Sequence, residues 1–470
     1  MQNEMKKNRG FNSLYNQVVK NGYDFGTGSW AVATNKVQMK LNQDGKYEPR
    51  LIDRSVEISA EELRNLEETS LSTSKKNESD VAKSLFSGFS NIKYDQRIGY
   101  YLGLYIGHVS EKSYRTDGSS GGFGTWILKE LLVNQYIDGV IHVKKATATN
   151  KLFEYGISKS VEEILAGSKT KYYPVEYSET INYIRKHPGR YAIVGLPSYI
   201  MELRLISEID PVVKQSIKYT VGLVCGHQKS AKYAEFLAWQ CGIKPGNLDN
   251  IDFRKKRNDA PANQYAIEVT GKVNGAQKTI VKPMSELKGG NWGEGVFKVR
   301  ASDFTDDVMN ETADITLGDA WLPEYTTDSK GNNILVVRNP LIKNIIEEGI
   351  KNKTVKLDKV GVETIYRSQS SHYRHTRVEL SYRLLKQKRK GIWVPQKRVV
   401  PNASVSWIRR RIQDQREKIC LDAPLFYRTA VEKDDLEYFV RKMHPLSRHY
   451  ARLYFLKRCY NKAKRMVNIK

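Results

Sequence analysis

The chain has 470 residues, of which 40% are hydrophobic, and this length suits two or three globular domains. Its four cysteines, Cys225, Cys241, Cys420 and Cys459, are far apart and form no C-x2-C pair, which excludes a disulfide framework and gives no support to a zinc or iron–sulfur site. No run approaches the ~18 apolar residues of a membrane-spanning helix, and the first residues lack the apolar segment of a secretory signal. We therefore predict a cytoplasmic protein.

The net charge of +25 is concentrated towards the C-terminus. Residues 361–470 contain 27 Lys and Arg against 9 Asp and Glu, a net charge of +18, which leaves +7 for residues 1–360. The body is therefore mildly basic, and the C-terminal region is expected to produce most of the positive field.

Residues 1–54 are predicted to form a small N-terminal module. Four positions in it have the spacing of a bacterial ferredoxin cluster loop, C-x2-C-x2-C-x3-C, but they hold Asp24, Thr27, Trp30 and Thr34. None of these side chains can supply a thiolate. The spacing alone allows either a chance pattern or a cluster domain that has lost its cluster.

A hairpin and a linker are predicted next. The stretch VQMKLNQDGKYEPRL alternates apolar and polar residues around Asp44-Gly45, which is typical of a β-hairpin. Residues 55–92 are rich in Ser, Glu and Lys and predict a short helix plus a linker.

From about residue 93 to about residue 340, apolar strands alternate with helices, which predicts an α/β domain with a largely parallel or mixed sheet. Residues 341–470 read as helical and basic, which makes the chain α+β overall. Helix breaks are expected in this last region at Pro395, Pro401, Pro424 and Pro445.

One polar loop has the features of a phosphate site. Ser119, Ser120, Gly121 and Gly122 end this loop, and a helix is predicted to follow at once. Such a junction directs free backbone N–H groups and the positive end of the helix at one point, and small residues allow a phosphate to approach. The alternative is an ordinary helix start with a glycine turn.

Three further stretches could contact the same ligand. Ser168 and Lys169 lie in a small-residue loop, and Pro197 and Ser198 follow the strand YAIV, at the kind of strand end where α/β folds bind ligands. The stretch ETADITLGDAW holds Asp314 and Asp319, which could contact ribityl or ribose hydroxyls. The alternative is structural: Asp314 accepts backbone hydrogen bonds, and Asp319 caps a turn.

The ordered set of motifs resembles the coenzyme F420 hydrogenase/dehydrogenase beta-subunit family. DGSSGG, IDGVIHV, AGSK, VGLPS, GLVC and ADITLGDAW stand here in the order of that family's corresponding motifs, from about residue 21 to about residue 340. Family members have cysteines at the positions of Asp24, Thr27, Trp30 and Thr34. Many also have a C-x2-C-x-D motif, and here Ser302 and Thr305 stand at its cysteine positions, with Asp307 after them. The cysteine of the family's PC motif is Ser198 here. The resemblance implies a branch that keeps the fold and lacks the iron–sulfur clusters.

The resemblance also implies a flavin, FAD rather than FMN, held by the central α/β domain. The cofactor-binding residues implied in this way are Ser119, Ser120, Gly121, Gly122, Thr125, Ser168, Lys169, Pro197, Ser198, Asp314 and Asp319. Without clusters, the flavin would exchange two electrons directly with small molecules, such as a nicotinamide or deazaflavin donor and an organic substrate. Related bacterial sequences often belong to surface-polysaccharide pathways, so a sugar or glycan precursor is the expected substrate.

The best acid–base candidate is His227 in CGHQKS, at a predicted strand end, with a surface-loop histidine as the alternative. Two other functions compete with the flavoenzyme. One is a non-redox enzyme that uses the phosphate loops for a nucleotide-sugar. The other is a non-catalytic partner protein whose basic tail binds an acidic surface.

The C-terminal stretch of residues 447–467 predicts a basic amphipathic helix. Its apolar face is formed by Leu453, Leu456, Tyr460, Ala463 and Val467. Such a helix can bind an anionic membrane at the cytoplasmic face, or its apolar stripe can pack on the body. Nucleic acid is disfavoured because no recognised nucleic-acid fold or stacking platform accompanies the charge.

Overall fold

The computed structural model describes residues 8–53, 55–148 and 151–467. Its strands are β1 (Val37–Leu41), β2 (Tyr47–Leu51), β3 (Lys93–Asp95), β4 (Gly99–Tyr101), β5 (Gly103–Val109), β6 (Gly139–Lys145), β7 (Phe153–Ser158), β8 (Tyr191–Gly195), β9 (Ile217–Leu223), β10 (Leu248–Lys255), β11 (Ala266–Val273), β12 (Ala276–Pro283), β13 (Ile315–Asp319), β14 (Asn333–Val337) and β15 (Val355–Lys359). Its α-helices are α1 (Arg9–Tyr15), α2 (Ser29–Ala33), α3 (Ala60–Thr69), α4 (Glu78–Phe86), α5 (Tyr114–Asp117), α6 (Phe123–Val133), α7 (Val161–Ala166), α8 (Ser178–Lys186), α9 (Pro197–Ile209), α10 (Pro211–Ser216), α11 (Ala231–Trp239), α12 (Pro323–Thr326), α13 (Pro340–Lys351), α14 (Val362–Ser368), α15 (Ser370–Tyr373), α16 (Glu379–Arg389), α17 (Trp407–Glu432) and α18 (Leu436–Val467).

Eight strands form one mixed sheet in the order β15-β5-β14-β13-β9-β8-β6-β7. Neighbours are parallel from β13 through β9 and β8 to β6 and antiparallel elsewhere. Strands β5, β13, β9, β8 and β6 therefore share one direction, and their C-terminal ends lie along one side of the sheet, the carboxyl edge. The predicted alternation of strands and helices is confirmed, and the fold is α/β with a helical C-terminal part.

The sheet is covered by helices on both faces. Val140 and Ile141 are neighbours in β6 and belong to different hydrophobic clusters, because successive side chains of a strand point to opposite faces. Helix α6 buries Phe123, Trp126 and Ile127 on one face, since residues at this spacing share one side of a helix. Helices α9 and α11 contribute to the cluster on the other face.

The N-terminal part forms a hairpin beside short helices. Strands β1 and β2 pair in antiparallel fashion, and Gly45 in the turn has a φ of 69°, so the predicted hairpin is confirmed. Trp30 is buried with its ring centroid 6.0 Å from that of Phe11. Their cluster includes Leu380 and Leu384 of α16, so the first and last parts of the chain share a core.

Residues 55–92 contain two helices rather than the one predicted. Helix α3 begins with a capping box formed by Ser59 and Glu62, and α4 begins with one formed by Asn77 and Asp80. The Ser- and Glu-rich composition that suggested a linker therefore includes the caps of two helix starts.

Two of the four expected helix breaks are wrong. Pro395 and Pro401 lie between α16 and α17, as predicted, but Pro424 and Pro445 lie inside α17 and α18. A proline in a helix interior removes one backbone hydrogen bond. Here long helices of 26 and 32 residues continue past that loss, and Pro424 is itself buried in the packing of α17.

Candidate cofactor site

Two of the loops predicted to bind the cofactor meet at the carboxyl edge. The serine loop, residues 117–122, folds back on the end of β5, and the lysine loop comprises residues 167–171. The backbone N–H of Thr170 donates to Ser119 Oγ at 2.8 Å, and Ser168 Oγ donates to the carbonyl of Asp117 at 3.4 Å. The structure therefore brings together residues that are about fifty positions apart in the chain.

The glycines of the serine loop are required by the protein itself. A Cβ at Gly121 would lie 2.7 Å from the carbonyl oxygen of Gly107, and Gly122 has a φ of 90° with the Tyr114 carbonyl 2.8 Å from its Cβ position. The expected role of these two residues, close approach of a phosphate, is not needed to explain them. A side chain at either position would disturb the loop before it reached any ligand.

Open space lies over the first turn of α6 instead. A Cβ at Gly124 would meet only Leu317 Cδ1, at 3.9 Å. The backbone N–H of Phe123 donates to Asn333 Oδ1 at 3.4 Å, whereas those of Gly124 and Thr125 have no acceptor among the described residues. Free N–H groups at a helix start attract an anion, so this turn can hold a phosphate. Thr125 lies in the same turn and is half-buried.

Strand β10 of the separate three-stranded sheet lies across the carboxyl edge. Lys169 Nζ lies 3.2 Å from Asp252 Oδ2, and the Arg254 guanidinium makes two hydrogen bonds to Asp319, of 2.7 and 3.1 Å. Lys256, the next residue on the same side of the chain, donates to the carbonyl of Ser120 at 2.8 Å. Sequence reasoning missed Asp252, Arg254 and Lys256. Their alternation in LDNIDFRKK, at i, i+2 and i+4, is the signal that one strand face carries charge.

Two lysines hold the loops through carbonyl groups. Lys171 donates to three carbonyl groups of its own loop. Loss of hydration lowers its pKa to about 7, although the charge of Asp252 acts to raise it. Loss of hydration, followed by the charge of Lys169, also lowers the pKa of Lys256 to about 7. These ammonium groups therefore hold the loop carbonyls, and burial makes each of them easier to deprotonate than a lysine in water.

Asp314 and Asp319 lie at opposite ends of β13. Asp314 precedes the strand, and its carboxylate accepts from Thr220, Arg204 and Asn339, so its observed contacts match the structural alternative. A five-residue strand is roughly 17 Å long, and one small ligand group cannot touch both ends. Asp314 is therefore engaged within the protein, whereas Asp319, whose carboxylate binds Arg254, remains in the candidate site.

Pro197 and Ser198 begin helix α9 at the end of β8. Ser198 Oγ accepts from the side-chain amide of Gln228 at 3.3 Å, and Ser302 Oγ accepts from the backbone N–H of Gln228 at 3.0 Å. Gln228 thus joins two of the positions where relatives are expected to have cysteines. Thr305 accepts from the N–H of Asp307 at 3.4 Å.

The four N-terminal positions with cluster spacing have separate partners. Thr27 donates to Glu202 of α9, and Thr34 donates to Glu62 of α3 at 2.8 Å. Trp30 packs on Phe11, as above, and Asp24 accepts from the N–H of Gly26 at 3.2 Å. The hydroxyl groups and the indole are therefore engaged with different elements.

His227 is buried rather than on the surface. Its ring stacks on Trp292 with centroids 4.4 Å apart, and its Nε2 has no hydrogen-bond partner among the described residues. Burial, followed by the charges of Lys229 and Lys298, lowers the pKa of His227 well below its usual range. The ring is therefore neutral, and it lies beyond the serine and lysine loops, beside a different group of cations.

Comparison with known proteins places these loops in a family. Two family models of the coenzyme F420 hydrogenase/dehydrogenase beta subunit match the chain: its N-terminal model matches residues 104–182, and its C-terminal model matches residues 189–362. Together the matches cover more than half of the chain. A similar solved structure belongs to the F420-reducing [NiFe] hydrogenase complex from Methanosarcina barkeri, with 15% identity, coverage of 65% of this chain and 98% of that chain, and a TM-score of 0.48. No curated protein sequence matches the chain.

Proposed function

The chain belongs to the coenzyme F420 hydrogenase/dehydrogenase beta-subunit family, and we propose that it is a flavin-dependent oxidoreductase without iron–sulfur clusters. The flavin is FAD, with FMN as the less favoured form. It supplies transfer of an electron pair between a donor, such as a nicotinamide or a deazaflavin, and an organic substrate. The substrate is a sugar or glycan precursor, a class that rests on the resemblance alone.

The observation that carries this proposal is the meeting of the serine loop, the lysine loop and the first turn of α6. The donors available to a phosphate there fit the group: the N–H of Gly124, the N–H of Thr125 and the positive end of an 11-residue helix. A Cβ at Gly124 would meet no protein atom closer than 3.9 Å, so this turn is less crowded than Gly121 and Gly122. Asp319 and Arg254 lie at the neighbouring strand end, where they can orient the polar part of the cofactor.

The experiment is a visible absorption spectrum of the purified protein, followed by a variant that closes this space. Oxidised flavin gives one near-ultraviolet and one visible band, and we expect both. Gly124→Val adds volume at the first turn, where a Cβ would meet no protein atom closer than Leu317 Cδ1 at 3.9 Å. It should lower the flavin content while the melting temperature stays level or rises, because valine is a better helix residue than glycine.

Gly121→Val is the matched comparison. It should lower the melting temperature, because its side chain collides with the carbonyl of Gly107. Flavin occupancy in Gly124→Val equal to that of the unaltered protein would reject the site. A purified protein without flavin that also takes up none from added FAD would reject the cofactor.

The absence of a cluster is tested separately. The observation is that Thr27, Thr34, Ser198 and Ser302 make hydrogen bonds to protein groups and none of them can supply a thiolate. Iron and acid-labile sulfide should both be below stoichiometric amounts after anaerobic purification. Stoichiometric iron together with sulfide would contradict this part of the proposal.

We further propose that the end of α18 attaches the protein to an anionic membrane at the cytoplasmic face. Tyr450 and Leu453 pack on the body, but Phe455, Leu456 and Tyr460 are 58%, 50% and 49% exposed among basic residues. The apolar stripe therefore divides into a packed and an exposed part; the side chain of Val467 lies outside the described residues. No helix in the described ranges is long and apolar enough to cross a membrane.

A further inference from the structure

A group of cations lies behind the loop that carries His227, enclosed by helices α16 and α17. Each residue in it is 8% exposed or less. We call it the cation cluster, and its members are Lys229, Lys298, Arg383, Arg409 and Arg416. Two buried carboxylates form close pairs with these cations: Asp303 with Lys298 at 2.5 Å, and Glu379 with Arg409. The charges of Glu417 and Glu294 act on Arg383 and Lys229 from farther away. Among the described residues, Lys229, Arg383 and Arg416 have no carboxylate oxygen closer than 3.9 Å.

Arg416 is poorly satisfied by the protein. The closest carboxylate oxygen to its guanidinium, Glu379 Oε2, lies 3.9 Å from Nη1, and its Nε has no hydrogen-bond partner among the described residues. Arg383 donates only to neutral groups, including the carbonyl of Asp303 at 2.7 Å and Gln413 Oε1 at 2.8 Å. Buried guanidinium groups normally have anionic partners, because transfer from water is costly without one.

Lys229 also has no anionic partner. Its Nζ donates to the carbonyl of Val296 at 2.7 Å and lies 4.5 and 4.6 Å from the ring centroids of Tyr233 and Trp292. Among the described residues, no ion pair within 4 Å is found for Lys229, and the charge of Glu294 acts on it from farther away. The aromatic rings supply only part of what a carboxylate would.

The histidines beside the cluster add no negative charge and are themselves neutral. His375 Nδ1 lies 3.3 Å from Arg383 Nη1 and 3.4 Å from Arg416 Nη1, so this nitrogen must be the acceptor, and the proton is on Nε2. Burial, followed by the charge of Arg383, keeps the pKa of His375 well below its usual range. The histidines beside the cluster therefore do not reduce its positive excess.

We propose that the cation cluster binds a phosphate or diphosphate group of the substrate, through Arg416, Lys229 and Arg383. The charge selects this class. Arg416, Arg383 and a Lys229 that a bound anion protonates exceed what one carboxylate can neutralise, whereas a phosphate ester carries about −1.5 to −2 at neutral pH. Guanidinium groups also match the geometry of phosphate oxygens. The inference does not depend on which cofactor occupies the carboxyl edge.

A cavity of about 520 Å³ shares Val296 with the surroundings of the cluster, although no residue of the cluster itself lines it. Its floor is apolar and includes Phe236, Val296 and Phe439, and the carbonyl of Val296 is the one that Lys229 contacts from behind. The wall between them is the stretch GGNWGEG, residues 289–295, in which Gly289 and Gly295 have φ values of 82° and 77°. This glycine-rich wall is the segment that must move for a ligand to pass.

A row of rings joins the cluster to the cofactor loops. Lys229 lies over Trp292, and Trp292 stacks on His227. Trp292 also contacts Tyr172, with ring centroids 4.6 Å apart. Tyr172 follows the lysine loop directly. A substrate whose phosphate is held at Arg416 therefore has an aromatic surface that leads towards the carboxyl edge.

Most of the cluster lies outside the part of the chain that the family models match. Lys229 and Lys298 are within residues 189–362, whereas Arg383, Arg409 and Arg416 come after them. The helical C-terminal part therefore supplies the unpaired guanidinium groups.

The test is calorimetric titration of the full chain with inorganic pyrophosphate and inorganic phosphate, at ionic strength held constant with sodium chloride. We expect Arg416→Gln and Lys229→Met to weaken pyrophosphate binding by about tenfold or more, as for loss of a charge-assisted hydrogen bond. Arg411→Gln, an exposed position on the same helix, is the matched control and should bind as the unaltered protein does. Lys256→Met, at the cofactor loops, should also leave this binding unchanged.

Three results would overturn the assignment: no binding of pyrophosphate by the unaltered protein, equal affinity in Arg416→Gln and Lys229→Met, or a loss confined to Lys256→Met. The last would place the anion at the cofactor loops. Folding is checked by thermal unfolding without anion, in which Arg416→Met should melt no lower than the unaltered protein. If Arg416→Gln does not fold, Lys229→Met decides the question.

Discussion

The molecule contains two groups of cations at neighbouring places, and they are satisfied in opposite ways. At the carboxyl edge, Arg254 binds Asp319 through two hydrogen bonds and Lys169 binds Asp252, while Lys256 donates to loop carbonyls. In the cation cluster, Arg416 has no carboxylate closer than 3.9 Å. The first group therefore uses its charge to hold loops in place, and the second keeps charge available for an external anion.

The largest difference between the groups should appear in the free energy of unfolding. Asp319→Ala leaves the buried Arg254 without its carboxylate, which should cost about 3 kcal/mol, at the low end for breaking a buried pair because Asp319 is partly exposed. Arg416→Met removes a charge that has no close partner and keeps most of the side-chain volume. It should change the free energy of unfolding by about 1 kcal/mol or less, or raise it.

Urea unfolding of both variants measures this difference. Asp319→Asn is the control for volume and should fall between the unaltered protein and Asp319→Ala, since its amide oxygen can still accept one bond. Equal losses in Asp319→Ala and Arg416→Met would show that Arg416 is held by the protein, and the contrast between the two groups would be lost.

Features that depend on residues close together in the chain could be predicted from the sequence. Local patterns identified the hairpin at Asp44-Gly45, the alternation of strands and helices, and the serine loop before α6, because each depends on residues close together in the chain. The spacing of five residues between Asp314 and Asp319 could also have separated their roles, since a strand of that length places its ends at opposite edges.

Other features depend on contacts between distant residues. The side of the carboxyl edge formed by Arg254 and Lys256 requires a second sheet to lie across the first, and no local pattern reports that packing. Pro424 lies inside a helix because tertiary packing outweighs a local penalty. The charge imbalance around Arg416 arises from residues about 190 positions apart, so only the folded chain shows it.

The dependence of stability on pH should also distinguish the two groups, with an effect smaller than that of Asp319→Ala. The folded protein has pKa values of about 7 for Lys256 and Lys229, whereas an unfolded chain keeps its lysines protonated to about pH 10. Between these values the unfolded state binds more protons, so stability should rise with pH, by up to ~1.4 kcal/mol per unit for each lysine. Lys256→Met and Lys229→Met should each reduce the slope.

Pyrophosphate separates the two contributions. An anion beside Lys229 favours its charged form and raises its pKa, so the part of the slope due to Lys229 should disappear when pyrophosphate is present. The part due to Lys256 should remain. Urea unfolding at several pH values, with and without pyrophosphate, measures both. A slope that pyrophosphate leaves unchanged would argue against binding near Lys229.

The smallest effect per residue concerns a third group of cations, which are exposed. Lys462, Lys464 and Arg465 lie at the end of α18 and are solvated, unlike the buried groups. Each exposed cation near an anionic surface contributes only ~1 kcal/mol, so attachment must be a sum of several such terms and the insertion of Phe455, Leu456 and Tyr460.

Sedimentation with anionic vesicles tests that sum. The unaltered protein should sediment with anionic vesicles at low salt and be released as salt screens the charges. Reversal of three cations, Lys462→Glu, Lys464→Glu and Arg465→Glu, should leave it in the supernatant. The matched control reverses Lys93, Lys272 and Lys278, which are exposed on the strands β3, β11 and β12, and so changes the net charge equally. If both triple variants sediment to the same extent, attraction follows net charge and the end of α18 is not the attachment site. A loss confined to the helix variant shows that the exposed cations act locally, where the apolar residues beside them can insert.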